Sequence, residues 1–429
     1  MEANSWKQVA WVGSMIGTIA SVILIAGAAS AGHEQTATRK IIVFREGTTR
    51  QVHRQVVERH GLQVLHHLDL LNAVTIALPD DTVETALAAL QGHLQVVEVY
   101  EDPMISADHV VSITPVQTPA PELFPWGVER VGVDAVFDLI ASKSSSAPTV
   151  AILDTGVDKK HPELVKQIAG GYNALAGEKP SDYQDYNGHG THVAGVIAAA
   201  WNGQGIIGTA TYPKIFAVKV LDNTGHGYLS DLVYALQWVL EHDIRVVNMS
   251  LSFAEGSPLL EKVIDQLYAA GVIMVASAGN RCVDGSNNDG ADEEGGDSGC
   301  DSPNAPVKYP AAYTGVIAVV ATNSDNQLAD YNRVGSQVDL AAPGGDAQGG
   351  QVLSTTIKGG YGIACGSSQA AAHVTGGAAV ALQVAPWLSA AQVADLLKGT
   401  ARDLGDSAPH QGAGLLAIDN MVKSLLGLP

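Results

Sequence analysis

The stretch Ala151-Ile152-Leu153-Asp154-Thr155-Gly156-Val157 runs from an apolar strand into a small-residue turn and leaves a carboxylate at the junction. Two further segments belong with it: Asn187-Gly188-His189-Gly190-Thr191-His192-Val193-Ala194-Gly195 and Ala364-Cys365-Gly366-Ser367-Ser368-Gln369-Ala370. They supply Asp154, His189 and Ser368, in that chain order. A serine hydroxyl is a poor nucleophile at neutral pH and needs a base to take its proton. His189 is placed to be that base, and Asp154 to fix its tautomer and stabilise the imidazolium. Alone, each residue has a plainer explanation: a strand-end turn, a surface histidine, a common Gly-Ser-Ser. Together, and in order, they specify acyl transfer. Unrelated hydrolases reach this geometry with different chain orders, and Asp…His…Ser is one of them.

The flanking residues extend the pattern. Asp154-Thr155-Gly156-Val157 is followed by His161-Pro162-Glu163-Leu164, and the His189 segment carries Thr191, His192 and Gly195 at fixed offsets. From about residue 40 to the C-terminus the chain resembles the subtilisin-like serine peptidases (subtilases). The resemblance implies an α/β fold, a parallel sheet sandwiched between helices, and a secreted endopeptidase made as a self-processing proenzyme. It implies Asn280, at the end of Ala276-Ser277-Ala278-Gly279-Asn280, as an oxyanion-hole donor, although a turn asparagine after a strand would read the same way. A substrate strand is expected between Gly225-His226-Gly227 and Ser250-Leu251-Ser252, with Leu251 lining an apolar pocket and Arg281 favouring an acidic side chain. A calcium site at Glu122, Glu163 and Asn202 is implied as well, since oxygen ligands suit a hard cation.

The third segment departs from the family pattern. Gln369 stands where methionine usually follows the nucleophile, and Ala372 where proline usually precedes the histidine, here His373. Neither position supplies a proton or a charge. His192 reads as a packed helix residue, and Cys365 as a small buried space-filler.

Outward from these segments, strand-like runs at 149–153, 215–220, 246–249, 272–276 and 316–320 alternate with helical stretches such as 229–241 and 259–270. That alternation predicts a parallel sheet between helix layers, with ligands at the carboxyl ends of its strands. A last amphipathic helix is expected from Ser389. Residues 40–100 read as β-α-β-β-α-β, an arrangement suited to a small split sandwich. By resemblance this is an inhibitor-type propeptide, spanning 39–107 and acting as a transient inhibitor of its own enzyme. A Pro-rich linker at 108–125 follows, easily proteolysed, with processing expected between Met104 and Pro121. The catalytic domain then covers 126–424.

Composition bounds the rest. The chain has 429 residues, 46% hydrophobic and 16% charged, with 46 glycines, which describes a well-packed enzyme with many tight turns. Its formal charge of −20 argues against nucleic-acid or anionic-membrane partners. A monomer acting on proteins or peptides is the expectation. Residues 9–31 carry no charge and end in Ala29-Ser30-Ala31, which reads as a secretory signal over 1–31, with an uncleaved membrane anchor as the alternative. Of the three cysteines, Cys282 and Cys300 bracket one insertion that a disulfide would close, leaving Cys365 over. Residues 281–301 hold seven acidic side chains against one arginine, and read either as a solvated loop or as a calcium-wrapping one. A lipase or esterase is disfavoured because no Gly-x-Ser-x-Gly elbow occurs, and a non-catalytic peptide binder because every catalytic residue type is present.

Overall fold

The computed structural model describes residues 38–78, 83–107, 113–142, 147–281, 302–346 and 350–429. The signal or anchor segment and the cysteine-bracketed insertion lie outside the described residues. Thr38–Pro429 form one compact unit. Among the described residues no helix is long and apolar enough to cross a membrane.

The N-terminal part is the β-α-β-β-α-β unit: β1 (Thr38–Phe44), α1 (Arg50–Glu58), β2 (Val64–Leu68), β3 (Ala73–Leu78), α2 (Val83–Gln91) and β4 (Val96–Glu101). Its four strands form an antiparallel sheet in the order β2-β3-β1-β4. One face, with Ile42, Val74 and Ile76, packs on Val56, Val57 and Leu90 of the two helices. The other sends Ile41, Leu68 and Ala73 into the core of the larger part. The chain continues through β5 (Met104–Ala107), β6 (Thr114–Val116), α3 (Trp126–Arg130) and α4 (Val133–Ala141).

The larger part contains β7 (Thr149–Asp154), β8 (Ile168–Asn173), α5 (His189–Ala198), β9 (Lys214–Lys219), β10 (His226–Tyr228), α6 (Leu229–Glu241), β11 (Val246–Met249), β12 (Leu251–Ser252), α7 (Pro258–Ala269) and β13 (Ile273–Ser277). After these come β14 (Val316–Thr322), β15 (Val338–Pro343), β16 (Val352–Thr356), β17 (Gly360–Ala364), α8 (Ser367–Val384), α9 (Ala390–Gly399), α10 (Ala408–Gln411) and α11 (Ile418–Leu426). Seven strands make a parallel sheet in the order β15-β14-β13-β11-β7-β9-β8. Alternate residues of each strand face opposite helix layers, as the strand period of two requires. Val150 and Ile152 join the cluster that includes Val193 and Val374, whereas Ala151 and Leu153 join the one that includes Leu232 and Val263. Both faces are therefore apolar, the α/β sandwich that the alternation in the sequence implies.

Strand order reverses at β7: β8 and β9 lie to one side of it, and β11 begins the other. Asp154 ends β7 at that switch point, where the loops diverge and leave a crevice.

Two expectations are revised. The helix begun by Ser389 is α9 and is not the last, because α10 and α11 follow. In α11 the apolar residues Ile418, Met421, Val422 and Leu425 recur at helical spacing and pack into the core, which stabilises it. Second, Thr114–Val116 of the Pro-rich stretch is a strand, antiparallel to β17, rather than free extended chain.

The small sheet is also joined to α6 by buried polar contacts. Arg39 Nε meets Asp102 at 2.9 Å, and His66 Nε2 meets Asp231 at 2.6 Å. Ser230 donates to Asp102 through both its amide and its hydroxyl, at 2.8 and 2.7 Å. Burial pushes the Asp102 carboxyl above its ordinary value. Such a cluster is costly to leave half-paired, so it fixes how the two parts meet more than it adds net stability.

Helix α9 opens with a reciprocal cap: the Gln392 amide N–H donates to Ser389 Oγ, and the Ser389 amide donates to Gln392 Oε1. Replacing Ser389 with alanine is expected to cost about 1 kcal/mol, read as a lowered urea midpoint at unchanged slope. An unchanged midpoint would place the stabilisation of this helix elsewhere.

Candidate active site

Asp154 is wholly buried, and its Oδ1 accepts from His189 Nδ1 at 2.7 Å and from the Thr155 amide at 2.7 Å. His189 is the first residue of α5, lifted into the crevice by Gly188 at φ 115. Gly190 has no room for a side chain, because a Cβ there would lie 2.1 Å from the Gly156 carbonyl oxygen. The small residues around the histidine therefore reflect close approach of α5 to the turn after β7.

Ser368 is the second residue of α8 and sits over that helix's N-terminus, where the backbone dipole favours negative charge. Its Oγ is buried and makes no hydrogen bond within the described residues. Helices α5 and α8 meet beside it, where Gln369 Nε2 lies 3.4 Å from His192 Nδ1. Asn280, just beyond β13, is anchored to the same helix end. Its Oδ1 accepts from the Ser367 amide at 3.0 Å and from the Ser367 hydroxyl at 2.8 Å. The amide's NH₂ is thereby turned away from Ser367.

Several supporting residues escaped the sequence reading. Asp185 is 2% exposed and receives the Asn187, Gly188 and Thr191 amides, together with the Thr155 and Thr191 hydroxyls. Thr155 Oγ1 in turn accepts from the Gly190 amide at 3.0 Å. One carboxylate thus ties the turn carrying Asp154 to the helix start carrying His189. Burial pushes the Asp185 carboxyl up, against the pull of those donors. Its only signal in the sequence is an acid placed shortly before a helix start. Asn248 and Thr375 form a second support: Thr375 Oγ1 donates to Asn248 Oδ1 at 2.8 Å, and Asn248 Nδ2 donates to Ser250 Oγ at 2.9 Å. Ser250 Oγ then donates to the Ser368 carbonyl at 3.1 Å.

Two other buried histidines nearby, His192 and His373, are not placed to exchange protons. Burial drives His192 down to about 3 and His373 to about 4, so both are neutral near pH 7. Cys365 is buried, and burial pushes its thiol up to about 11. It remains a protonated space-filler at neutral pH.

The two segments expected to flank a substrate lie on either side of one strand. Strand β5 pairs antiparallel with β10, which contains His226 and Gly227, and with β12, which contains Leu251 and Ser252. The Ala107 amide also donates to the Gly225 carbonyl at 2.8 Å. Arg281 donates from Nε to the Asn332 carbonyl at 3.2 Å, next to the Asn280 segment.

Glu122 and Glu163, from separate segments, both reach the loop that carries Asn202. Asn202 Nδ2 donates to Glu163 Oε2 at 2.7 Å, and the Asn202 and Gly203 amides donate to Glu122 Oε1 at 2.7 and 2.9 Å. Tyr361 donates its hydroxyl to Glu163 Oε1 at 2.5 Å. Glu163 is wholly buried, and no ion pair to it occurs among the described residues. Burial pushes its carboxyl up. No group of three or more His, Cys, Asp or Glu gathers as a metal cluster among the described residues.

Comparison with known proteins agrees with this architecture. The family model described as Subtilase family matches residues 145–415. Subtilisin NAT of Bacillus subtilis subsp. natto is 34% identical over 91% of this chain and 92% of its own. A subtilisin of Bacillus pumilus is 38% identical over 68% of this chain and 97% of its own. The minor extracellular protease Epr of Bacillus subtilis (strain 168) is 35% identical over 68% of this chain and 40% of its own. A parallel sheet whose switch point carries a buried Asp–His pair, and a sequence aligned with subtilisins over nine-tenths of its length, lead to one conclusion: the chain belongs to the subtilase family and is a subtilisin-like serine endopeptidase.

Proposed function

We propose that Asp154, His189 and Ser368 form the catalytic triad, an assignment carried by the 2.7 Å contact between Asp154 Oδ1 and His189 Nδ1 at the head of the α5 helix. His189 Nε2 takes the Ser368 proton as Oγ attacks the scissile carbonyl, and later returns it to the leaving amine. Asp154 holds the imidazole in the tautomer that keeps Nε2 available. The developing oxyanion is met by the Ser368 amide and the Asn280 NH₂, which its bonds to Ser367 orient in advance. Asp185 positions the histidine through the helix start and touches no reacting atom. The substrate lies as a strand between residues 225–227 and 250–252, and Arg281 favours an acidic side chain near the cut. The enzyme is secreted, acts as a monomer, and is made as a proenzyme whose residues 39–107 fill the cleft until self-processing. Residues 108–125 link them to a catalytic domain at 126–424.

A structural calcium ion is proposed at Glu122, Glu163 and Asn202. A buried carboxylate without a basic partner, joined to a second carboxylate through an amide, is a donor set suited to a hard cation.

A serine-directed phosphonate should label Ser368 and stop casein hydrolysis, and Ser368→Ala should lower kcat by about 10⁶-fold, the scale known for a subtilisin. Asn280→Ala should lower kcat about 100- to 1,000-fold with little change in KM, the scale of losing one oxyanion donor from a subtilisin. Retention of activity in either variant removes that residue's role. With Gln369 beside the nucleophile and Cys365 protonated, most activity should survive hydrogen peroxide, because no methionine there can become a sulfoxide. Rapid loss of activity would contradict this. EDTA should lower the melting temperature of the wild type but not of Glu163→Gln. Equal melting temperatures of the wild type with and without chelator would exclude the site.

A further inference from the structure

Lys219 closes β9 and is 2% exposed, one of the largest side chains that the protein buries completely. Its register partners in the sheet are Asp154 on β7 and Asn173 on β8. Its Nζ donates to the Thr155 carbonyl at 2.8 Å and to the Leu221 carbonyl at 2.7 Å. Both acceptors are neutral, and no carboxylate lies within ion-pair distance of this ammonium among the described residues. Taking an ammonium out of water without a close counterion is expensive, and an apolar side chain of similar length would fill the space at far less cost. The acyl-transfer chemistry of Asp154, His189 and Ser368 does not itself use this group.

The turn that Lys219 holds explains its charge. Thr155 donates its amide to Asp154 Oδ1 and its hydroxyl to Asp185 Oδ1, and the same hydroxyl accepts from the Gly190 amide. Through one carbonyl the ammonium therefore grips the residue that joins Asp154 to the start of α5. Asp154 and Asp185 are 0% and 2% exposed, and neither has an arginine or lysine within ion-pair distance among the described residues. Burial lowers the Lys219 ammonium below its ordinary value, while the carboxylates of Asp185, Glu178, Asp222 and Asp154 pull it back up. Those four come from the segment before α5, the loop after β8, the loop after β9 and the end of β7. His189 in turn faces Asp154 and the neutral His192. In a dry interior a charge acts over several ångströms with a strength that water would screen. A buried cation there offsets the carboxylates and opposes a second cation, the imidazolium.

We propose that Lys219 is a positioning residue for the Asp154–His189 pair: it fixes the turn that presents Asp154, and its charge offsets the two buried carboxylates so that the imidazole stays neutral and able to act as base. Lys219 touches no reacting atom. The inference rests on His189 being the base that Ser368 needs. Without the ammonium, the imidazole faces two buried carboxylates that nothing offsets and holds its proton to higher pH. An imidazolium cannot take the serine proton, so the acid limb of activity is the quantity that Lys219 sets.

The test compares the active wild-type enzyme with Lys219→Met and Lys219→Arg through the pH dependence of kcat/KM on one peptide anilide. In Lys219→Met the acid limb is expected to rise by about one pH unit. Lys219→Arg keeps the charge and is expected to leave the limb in place, whatever happens to kcat. A rise below about half a unit in Lys219→Met, or an equal rise in both variants, overturns the proposal, because lost packing alone lowers kcat or stability without moving the limb. Such a result in active enzyme leaves the triad standing, whereas full activity of Ser368→Ala removes the triad assignment instead. Where Lys219→Met yields no folded enzyme, the decision passes to the nitrogen-15 resonances of the lysine side chains in the full-length Ser368→Ala chain, with Lys219 identified by its loss on substitution with arginine. An ammonium at neutral pH is expected, and a neutral amine overturns the proposal.

Discussion

A helix of eighteen residues without one exposed side chain must be narrow, and α8 is narrow because its sequence is dominated by alanine, glycine and serine. It runs through the middle of one helix layer and packs against α5, α4 and the strands of the main sheet. The close fit is visible at Gly376, where an added Cβ would lie 2.5 Å from Thr209. The N-terminus of this helix carries Ser368, so the depth of α8 sets where the nucleophile stands. Dense interiors transmit displacement, and a larger side chain along α8 would move the serine as well as strain the core.

Around that fixed point the polar groups form a connected set. Asp185 binds the turn after β7 to the start of α5, Asn280 is pinned to Ser367, and Ser250 reaches the Ser368 carbonyl. Asp185, Ser250, Ser367 and Ser368 are buried and Asn280 is half-buried, and each buried group would be costly without its partner. Rigidity follows from satisfaction rather than from any single strong bond. The same reasoning applies where the small N-terminal sheet meets α6. There Arg39, His66, Asp102, Ser230 and Asp231 leave few alternative ways to dock.

Much of this was legible beforehand. The alternation of apolar runs with helical stretches implied the sandwiched sheet, since strands buried on both faces exclude unpaired polar residues. Strands β8 and β15 were missed for opposite reasons: Ile168–Asn173 contains two glycines and little apolar periodicity, and Val338–Pro343 ends in proline. Both are held by neighbours, β8 against β9 and β15 against β14. The stretch Thr114–Val116 looked like free chain because proline suits an edge, and only β17 beside it makes it a strand.

What the sequence determined by itself was local: residue types, their order, and the glycines that permit close approach. Those are properties of single segments, set by side-chain chemistry and backbone sterics. What only the tertiary structure decided was which groups meet across long separations. Asp185 holds the helix start at 187–191 and the turn at Thr155 together, and β5 lies in one register between two strands more than a hundred residues downstream. Register and burial are properties of pairs of segments, fixed by hydrogen bonds and packing that no single stretch of sequence contains.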